Sequence, residues 1–164
     1  MQHVCILLGS NLGNKRKYLD DAEKLITVKA GILITKSSVY KSEPWGFVHK
    51  EDFYNRAILI NTNYSPLEIL EKCLEIENML GRERKADGYE ARTIDIDILL
   101  YGKKIIKSKR LIVPHPQLHL RKFTLVPLCE IAPDLIHPEL KLSMLHLLEK
   151  CPDRGRVEKL EAHF

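Results

Sequence analysis

Apolar residues recur along this chain with two different periods. Residues 2–8, 32–41 ("ILITKSSVYK"), 54–63 ("YNRAILINTN") and 94–101 are short segments rich in β-branched and aromatic residues and bounded by turn signals, which predicts strands. Between the first two, Tyr18, Leu19, Ala22, Leu25, Ile26 and Ala30 fall at helical spacing after Asn14, a candidate cap, so 14–30 reads as a helix. A second helix should run from Pro66 to about Leu80. Ser65, Pro66 and Glu68 supply an N-cap, a first-turn proline and the acid of a capping box, and Gly81 supplies the stop. "YGKK" then turns into a short strand at 104–107. The order is β-α-β-β-α-β, which predicts an α+β, ferredoxin-like βαββαβ core: an antiparallel sheet with helices on one face. Extra C-terminal elements follow, with short helices expected near 123–131 and 143–150.

One strand breaks the pattern. "RTIDIDILLYG" places Asp95 and Asp97 at alternate positions, so both carboxylates project to one side, away from Ile94, Ile96, Ile98 and Leu100. Like charges on one strand face repel, and Asp is a poor strand former. The alternation puts the isoleucines against the helices and the acids on the face the helices leave free, where the loops 42–53, 82–92 and 108–121 would roof a site. Two solvated surface acids would fit. So would a pair of hard oxygen ligands for Mg2+, whose shell waters and phosphate oxygens complete. Arg82, Arg84 and Arg92 precede the strand, and Arg110, His115 and Arg121 follow it. Guanidinium forks beside metal-binding acids suit a polyphosphate.

Glu77 falls inside the apolar stripe that Leu70, Cys73, Leu74 and Leu80 define, whereas Glu68, Glu71 and Glu75 fall on the polar side. A structural ion pair and a wall residue of the site are equally good accounts of it. Trp45, Phe53 and Phe123 are each ordinary core candidates, but an aromatic pair near an amide side chain also suits a flat heterocycle. "GSNLGNK" has Asn14 where the second glycine of a Walker loop must stand, and G-x-G-x-x-G, H-E-x-x-H and G-x-S-x-G are absent.

Composition narrows the picture only slightly. The 164 residues, 45% hydrophobic, fit one domain spanning 1–164. No apolar run approaches the roughly 20 residues that span a bilayer, so no membrane partner is expected. The four scattered cysteines suit reduced thiols and a cytoplasmic setting. A net charge of +4 diagnoses nothing by itself.

The segments "LGSNLGN", "SSVYKSEPWGF", "FYNRAILINT", "IENMLGRERK", "RTIDIDILLYG" and "LIVPHPQLHLRKFTLVPLCEIAPDLIHP" run in order from Gly9 to about Pro138. Together they resemble the 6-hydroxymethyl-7,8-dihydropterin pyrophosphokinases of folate biosynthesis. The resemblance implies transfer of pyrophosphate from ATP to the pterin hydroxymethyl oxygen, with AMP as co-product. It implies two Mg2+ ions on Asp95 and Asp97, with Arg82 and Arg92 as catalytic arginines. For the pterin it implies Ser42, Pro44, Trp45, Phe53, Asn55 and Phe123. For ATP it implies Leu70, Glu77, Arg84, Tyr89, Ile98, Arg110, Leu111, Ile112, His115 and Arg121. Tyr89-Glu90-Ala91-Arg92 stands where the family usually has Trp-Gly-Pro-Arg, which alters the shape expected of that loop. A monomer acting on small molecules is expected.

Two other classes fit the same topology. A two-metal nucleotidyl transferase or cyclase would use the same acids on a different acceptor. An RNA-binding module would use the open sheet face, but the aromatic-rich RNP1 pattern is absent and the charge is low, so no nucleic-acid partner is expected.

Overall fold

The computed structural model describes residues 1–44, 51–81 and 93–162. The elements are β1 (Gln2–Ser10), α1 (Lys15–Lys29), β2 (Ile32–Lys36), β3 (Tyr40–Ser42), β4 (Phe53–Thr62), α2 (Pro66–Met79), β5 (Asp95–Tyr101), β6 (Ile106–Lys107) and β7 (Ile112–Val113). After a single 3-10 turn at Leu118–Leu120 come α3 (Lys122–Ile131), α4 (Met144–Lys150) and β8 (Val157–Lys159). The main sheet runs β5-β1-β4-β3-β8, with β2 also on β4, and every pairing is antiparallel. The class is therefore α+β. Strands β6 and β7 pair separately.

Both main helices begin where their caps place them. Asn14 accepts the Lys17 N–H, and the Ser65–Glu68 capping box is complete. Gly81 follows α2 at φ +83, the left-handed conformation that ends a helix at little cost to glycine. The strand expected at 32–41 is interrupted. Ser37 sits in the break, where its backbone N–H donates to the Ala57 carbonyl and its hydroxyl accepts the Ala57 N–H. β2 and β3 are thus two pieces lying along one partner, β4.

The sheet carries a core on each face. Under α1 and α2 lie Val4, Ile6, Leu8, Leu19, Ile26, Ile58, Ile60, Ile69, Cys73, Ile76, Ile94, Ile96 and Ile98. On the opposite face Cys5, Leu7, Ala57, Leu99 and Leu100 pack against Leu118, Leu125, Leu128, Met144 and Leu147. That second face is therefore not left to loops: α3 and α4 cover much of it. The reason is legible in β1, where Val4 to Ser10 are all buried with no alternation, as in strands covered on both sides.

A second correction concerns Leu100, expected beside the isoleucines. The β1–β5 register runs Ile6↔Ile98 and then Cys5↔Leu100, so Leu99 is an extra residue in β5. Such a bulge sends Leu99 and Leu100 to one core and turns Tyr101 into the other. Tyr101 then donates its hydroxyl to the Tyr64 carbonyl at 2.5 Å, just before α2.

On α2 the buried positions are Ile69, Cys73, Ile76 and Glu77, with Leu70, Leu74 and Leu80 half-buried at the margin. Among the described residues no helix is long and apolar enough to cross a membrane.

Candidate active site

The acids lie at the end of the second face that α3 and α4 leave uncovered. Asp95 pairs in register with Gly9, and Gly9 with Asn55; Asp97 pairs with Leu7, and Leu7 with Ala57. Residues directly opposite one another across a sheet share a face. Asp95, Gly9 and Asn55 therefore form one row across three strands, with Asp97 immediately beside it. Tyr40 extends the row on β3, and Ser42 and Phe53 form the next pair. Asn55 donates from Nδ2 to Ser42 Oγ at 2.7 Å, and both residues are buried.

Gly9 keeps this row open. A Cβ there would stand 3.1 Å from Asn55 Oδ1 and 3.7 Å from the Phe53 ring. Any larger residue would fill the floor between the carboxylates and the amide.

Asp97 feels the cost of this arrangement most. Burial first, then the charge of Asp95, hold its carboxyl well above the usual carboxylate range; a hydrogen bond with Asp95 and the charge of Glu77 push the same way, while Arg121 opposes them. Glu77, 1% exposed, accepts the Ile96 N–H at Oε2 across 2.8 Å. It covers the outer edge of β5 at the peptide between the two acids. Burial, followed by the charges of Glu77 and Asp97, pushes the Cys73 thiol up to about 12.

Opposite the acids stands the 115–123 segment. The His115 N–H donates to the Leu99 carbonyl at 2.9 Å, which docks the segment on β5. His115 Nδ1 accepts the Gln117 N–H at 3.1 Å, so the neutral ring carries its proton on Nε2. Burial and then Arg121 push its pKa down to about 4, against the pull of Asp95, so it stays neutral at pH 7. Arg121, 8% exposed, donates to the Gln117 side chain and lies 5.5 Å from the Phe123 ring centroid.

Beyond Phe123 is a cavity of about 210 Å3, lined by Ser42, Glu43, Pro44, Phe123, Asp153, Gly155, Arg156 and Val157. The larger concavity, about 950 Å3, lies on the helix side beside Tyr54 and Arg56. Several of its cations are held in ion pairs, Lys36 to Glu23 and Arg56 to Asp20 and Glu23. It does not face the acids.

Of the residues singled out from the sequence, the structure brings Ser42, Phe53, Asn55, Asp95 and Asp97 onto one sheet face, with His115 and Arg121 close enough to act on the acids. Pro44 and Phe123 line the small cavity. Glu77 is behind the β5 edge. Leu70 is half-buried, Leu111 is buried and Ile112 is 43% exposed. Arg110 is exposed and reaches Glu71 at 3.4 Å. Ile98 is buried in the helix-side core, so only its backbone faces outward. Trp45, Arg82, Arg84, Tyr89 and Arg92 lie outside the described residues. Gly9, Gln117 and Asp153 were missed. The Asp-x-Gly pair at 153–155 is a turn signal, but nothing local ties it to a site.

Among the described residues no group of three or more His, Cys, Asp or Glu is arranged around a metal. The donor set is two carboxylates, one carrying a marked like-charge penalty. Two hard oxygens near the Arg121 guanidinium fit Mg2+ with phosphate completing its shell, and fit poorly a softer metal that wants nitrogen or sulfur.

Comparisons with known proteins identify the family. Residues 5–133 match the model of the family described as 7,8-dihydro-6-hydroxymethylpterin-pyrophosphokinase (HPPK). The chain is 44% identical over 154 residues to the 2-amino-4-hydroxy-6-hydroxymethyldihydropteridine pyrophosphokinase of Haemophilus influenzae, covering 93% of this chain and 95% of that one. It is 43% identical over 127 residues to the Bacillus subtilis protein of the same name, covering 77% and 75%. The folic acid synthesis protein fol1 of Pneumocystis carinii is 41% identical over 150 residues, 92% of this chain, which spans 20% of that longer protein. A solved HPPK-DHPS structure in complex with substrates superposes with a TM-score of 0.74 at 15% identity, over 91% of this chain and 43% of the other. By these matches the chain belongs to the 7,8-dihydro-6-hydroxymethylpterin-pyrophosphokinase family.

Proposed function

We propose that this chain transfers the pyrophosphoryl group of ATP to the hydroxymethyl oxygen of 6-hydroxymethyl-7,8-dihydropterin, a step of folate synthesis. The reading rests on its family and on one observation: Asp95 and Asp97 stand two strands from the buried amide of Asn55, across the open floor that Gly9 leaves on the strand between. A phosphate-handling pair and a heterocycle-reading amide are thereby within one substrate's reach.

The pterin alcohol attacks the β-phosphorus, the bond to the oxygen bridging α and β breaks, and AMP leaves. Asp95 and Asp97 would hold two Mg2+ ions, which when bound neutralise phosphate charge as it shifts in the transition state. Arg121 supplies a fixed guanidinium, kept in orientation by Gln117 and by the Phe123 ring. His115 offers a neutral Nε2–H donor. Asn55, locked by Ser42, reads the heterocycle edge, and Phe53 and Phe123 cover its faces. Leu70, Glu77, Arg84, Tyr89, Ile98, Arg110, Leu111 and Ile112 serve the nucleotide, Trp45 and Pro44 the pterin. Arg82 and Arg92 act on the transferring phosphates.

The core is a ferredoxin-like βαββαβ unit; the strand order, with β2 and β3 counted as one strand, supports this. The chain works as a single domain over 1–164, as a monomer in the cytoplasm, where four free cysteines stay reduced. The test is AMP formation from ATP and Mg2+ with and without hydroxymethyl-dihydropterin. Pterin-dependent AMP is expected. Release of free pyrophosphate instead would favour a nucleotidyl transferase.

A further inference from the structure

The cavity beside Phe123 is walled on one side by the tail, which lies beyond the residues 5–133 that match the family model. Asp153 joins that tail to the site at two points. Its Oδ2 accepts the N–H of Lys122 at 3.0 Å, and its Oδ1 accepts the N–H of Gly155 at 2.8 Å. Lys122 opens α3, and its N–H is one of those a helix cannot satisfy from within. The residue after it is Phe123. Gly155 starts the turn into β8, whose Val157 pairs in register with Ser42 on β3. One carboxylate therefore ties the start of the helix that carries Phe123 to the strand beside the one that carries Ser42. The cavity lies between those two walls. Arg121, the N-cap residue of α3, makes no side-chain cap of its own.

We infer that Asp153 is a positioning residue for the heterocycle pocket, setting the separation between Phe123 and the Ser42–Pro44 wall through the Lys122 N–H and the β8 turn. It touches no substrate itself. The inference rests on the pyrophosphokinase reading of the pocket.

The test compares Asp153→Ala with Lys122→Pro and Lys122→Ala. Proline at the first helical position keeps the helix and deletes only the N–H that Asp153 accepts; the extended backbone of Arg121 suits the residue before a proline. Pterin binding is read by calorimetry, and KM for each substrate by AMP release. Lys122→Pro should weaken pterin binding roughly ten-fold, the scale of one lost hydrogen bond to a charged group, and Asp153→Ala, which also loses the Gly155 bond, at least as much. KM for ATP should stay within about two-fold of wild type, and Lys122→Ala should match wild type. Adding Lys122→Pro to Asp153→Ala should cost nothing further, because Asp153→Ala already removes the bond to the Lys122 N–H. Unchanged pterin affinity in Lys122→Pro, or an equal loss for ATP and pterin, overturns the proposal while wild-type turnover leaves the functional reading intact. A wild-type chain that neither binds pterin nor forms pterin-dependent AMP overturns both.

Discussion

Glu77 meets the N–H of Ile96 at 2.8 Å, and that N–H belongs to the residue between the two site acids. β5 is a sheet edge, so this donor has no strand partner on the outer side. A buried N–H stripped of its acceptor costs about 1–3 kcal/mol. Glu77→Ala should lose stability on that scale in urea unfolding. Glu77→Gln keeps an acceptor oxygen and should retain most of it. Equal losses in both variants would mean that charge, not the hydrogen bond, is what Glu77 supplies.

Asp97→Asn should abolish most turnover while leaving pterin affinity near wild type. It should also remove the like-charge cost beside Asp95, so in the absence of divalent cation the variant should melt no lower than wild type. Added Mg2+ should raise the wild-type midpoint, since a ligand that binds only the folded state stabilises it. It should leave the variant unmoved. Near-normal turnover in Asp97→Asn, or an equal response to Mg2+ in both proteins, would refute the metal assignment.

Gly9→Ala isolates the floor of the site. Its Cβ would press on Asn55 Oδ1 at 3.1 Å and touch Phe53. The backbone there is ordinary strand, so the fold should survive with a loss of about 1–3 kcal/mol. KM for the pterin should rise several-fold more than KM for ATP. A variant that unfolds instead would show that Gly9 is needed by the sheet and not by the substrate.

His137 makes stability pH-dependent on the acid side. It is buried, and its Nδ1 accepts the N–H groups of Glu139 and Leu140. Burial first, then the neighbouring His119 ring at 6.3 Å, lowers its pKa, with Glu139 opposing. A depressed histidine binds fewer protons folded than unfolded. Its contribution is thus complete above the ordinary histidine pKa of roughly 6.5 and is lost as pH falls below it toward the folded value. Unfolding midpoints should drop between pH 7 and pH 5. His115, also pushed down, to about 4, contributes in the same window, so His137→Asn, whose side-chain oxygen can accept the same N–H groups, should reduce that slope without removing it. An unchanged slope would assign it to other groups.

Much of this was legible residue by residue. α2 announced itself because its start is encoded locally, in Ser65, Pro66 and Glu68, and needs no partner. The acids were legible because alternation is a property of a strand alone. What depended on partners was not. The bulge at Leu99 exists only in the pairing with β1, so Leu100 was placed on the wrong side. β8 is three residues long and is defined by β3, too short to show a period. The helices over the second face were expected as elements but not in place, although the unbroken burial of β1 matches them. Trp45 and the arginines at 82, 84 and 92 were singled out from the sequence but lie outside the described residues.

The bulge has a consequence for how this site tolerates change. It acts as a phase shift halfway along β5, so the two ends of one strand answer to different neighbours. Upstream, Asp95 and Asp97 are held in step with Gly9 and Leu7. Downstream, Tyr101 is turned to reach Tyr64 and steady the entry to α2. Loss of the extra residue, Leu99, would restore regular alternation, keep Tyr101 opposite Val4 and leave the acids in their row. The end of the strand that carries the acids is thus insulated from a one-residue change at the bulge.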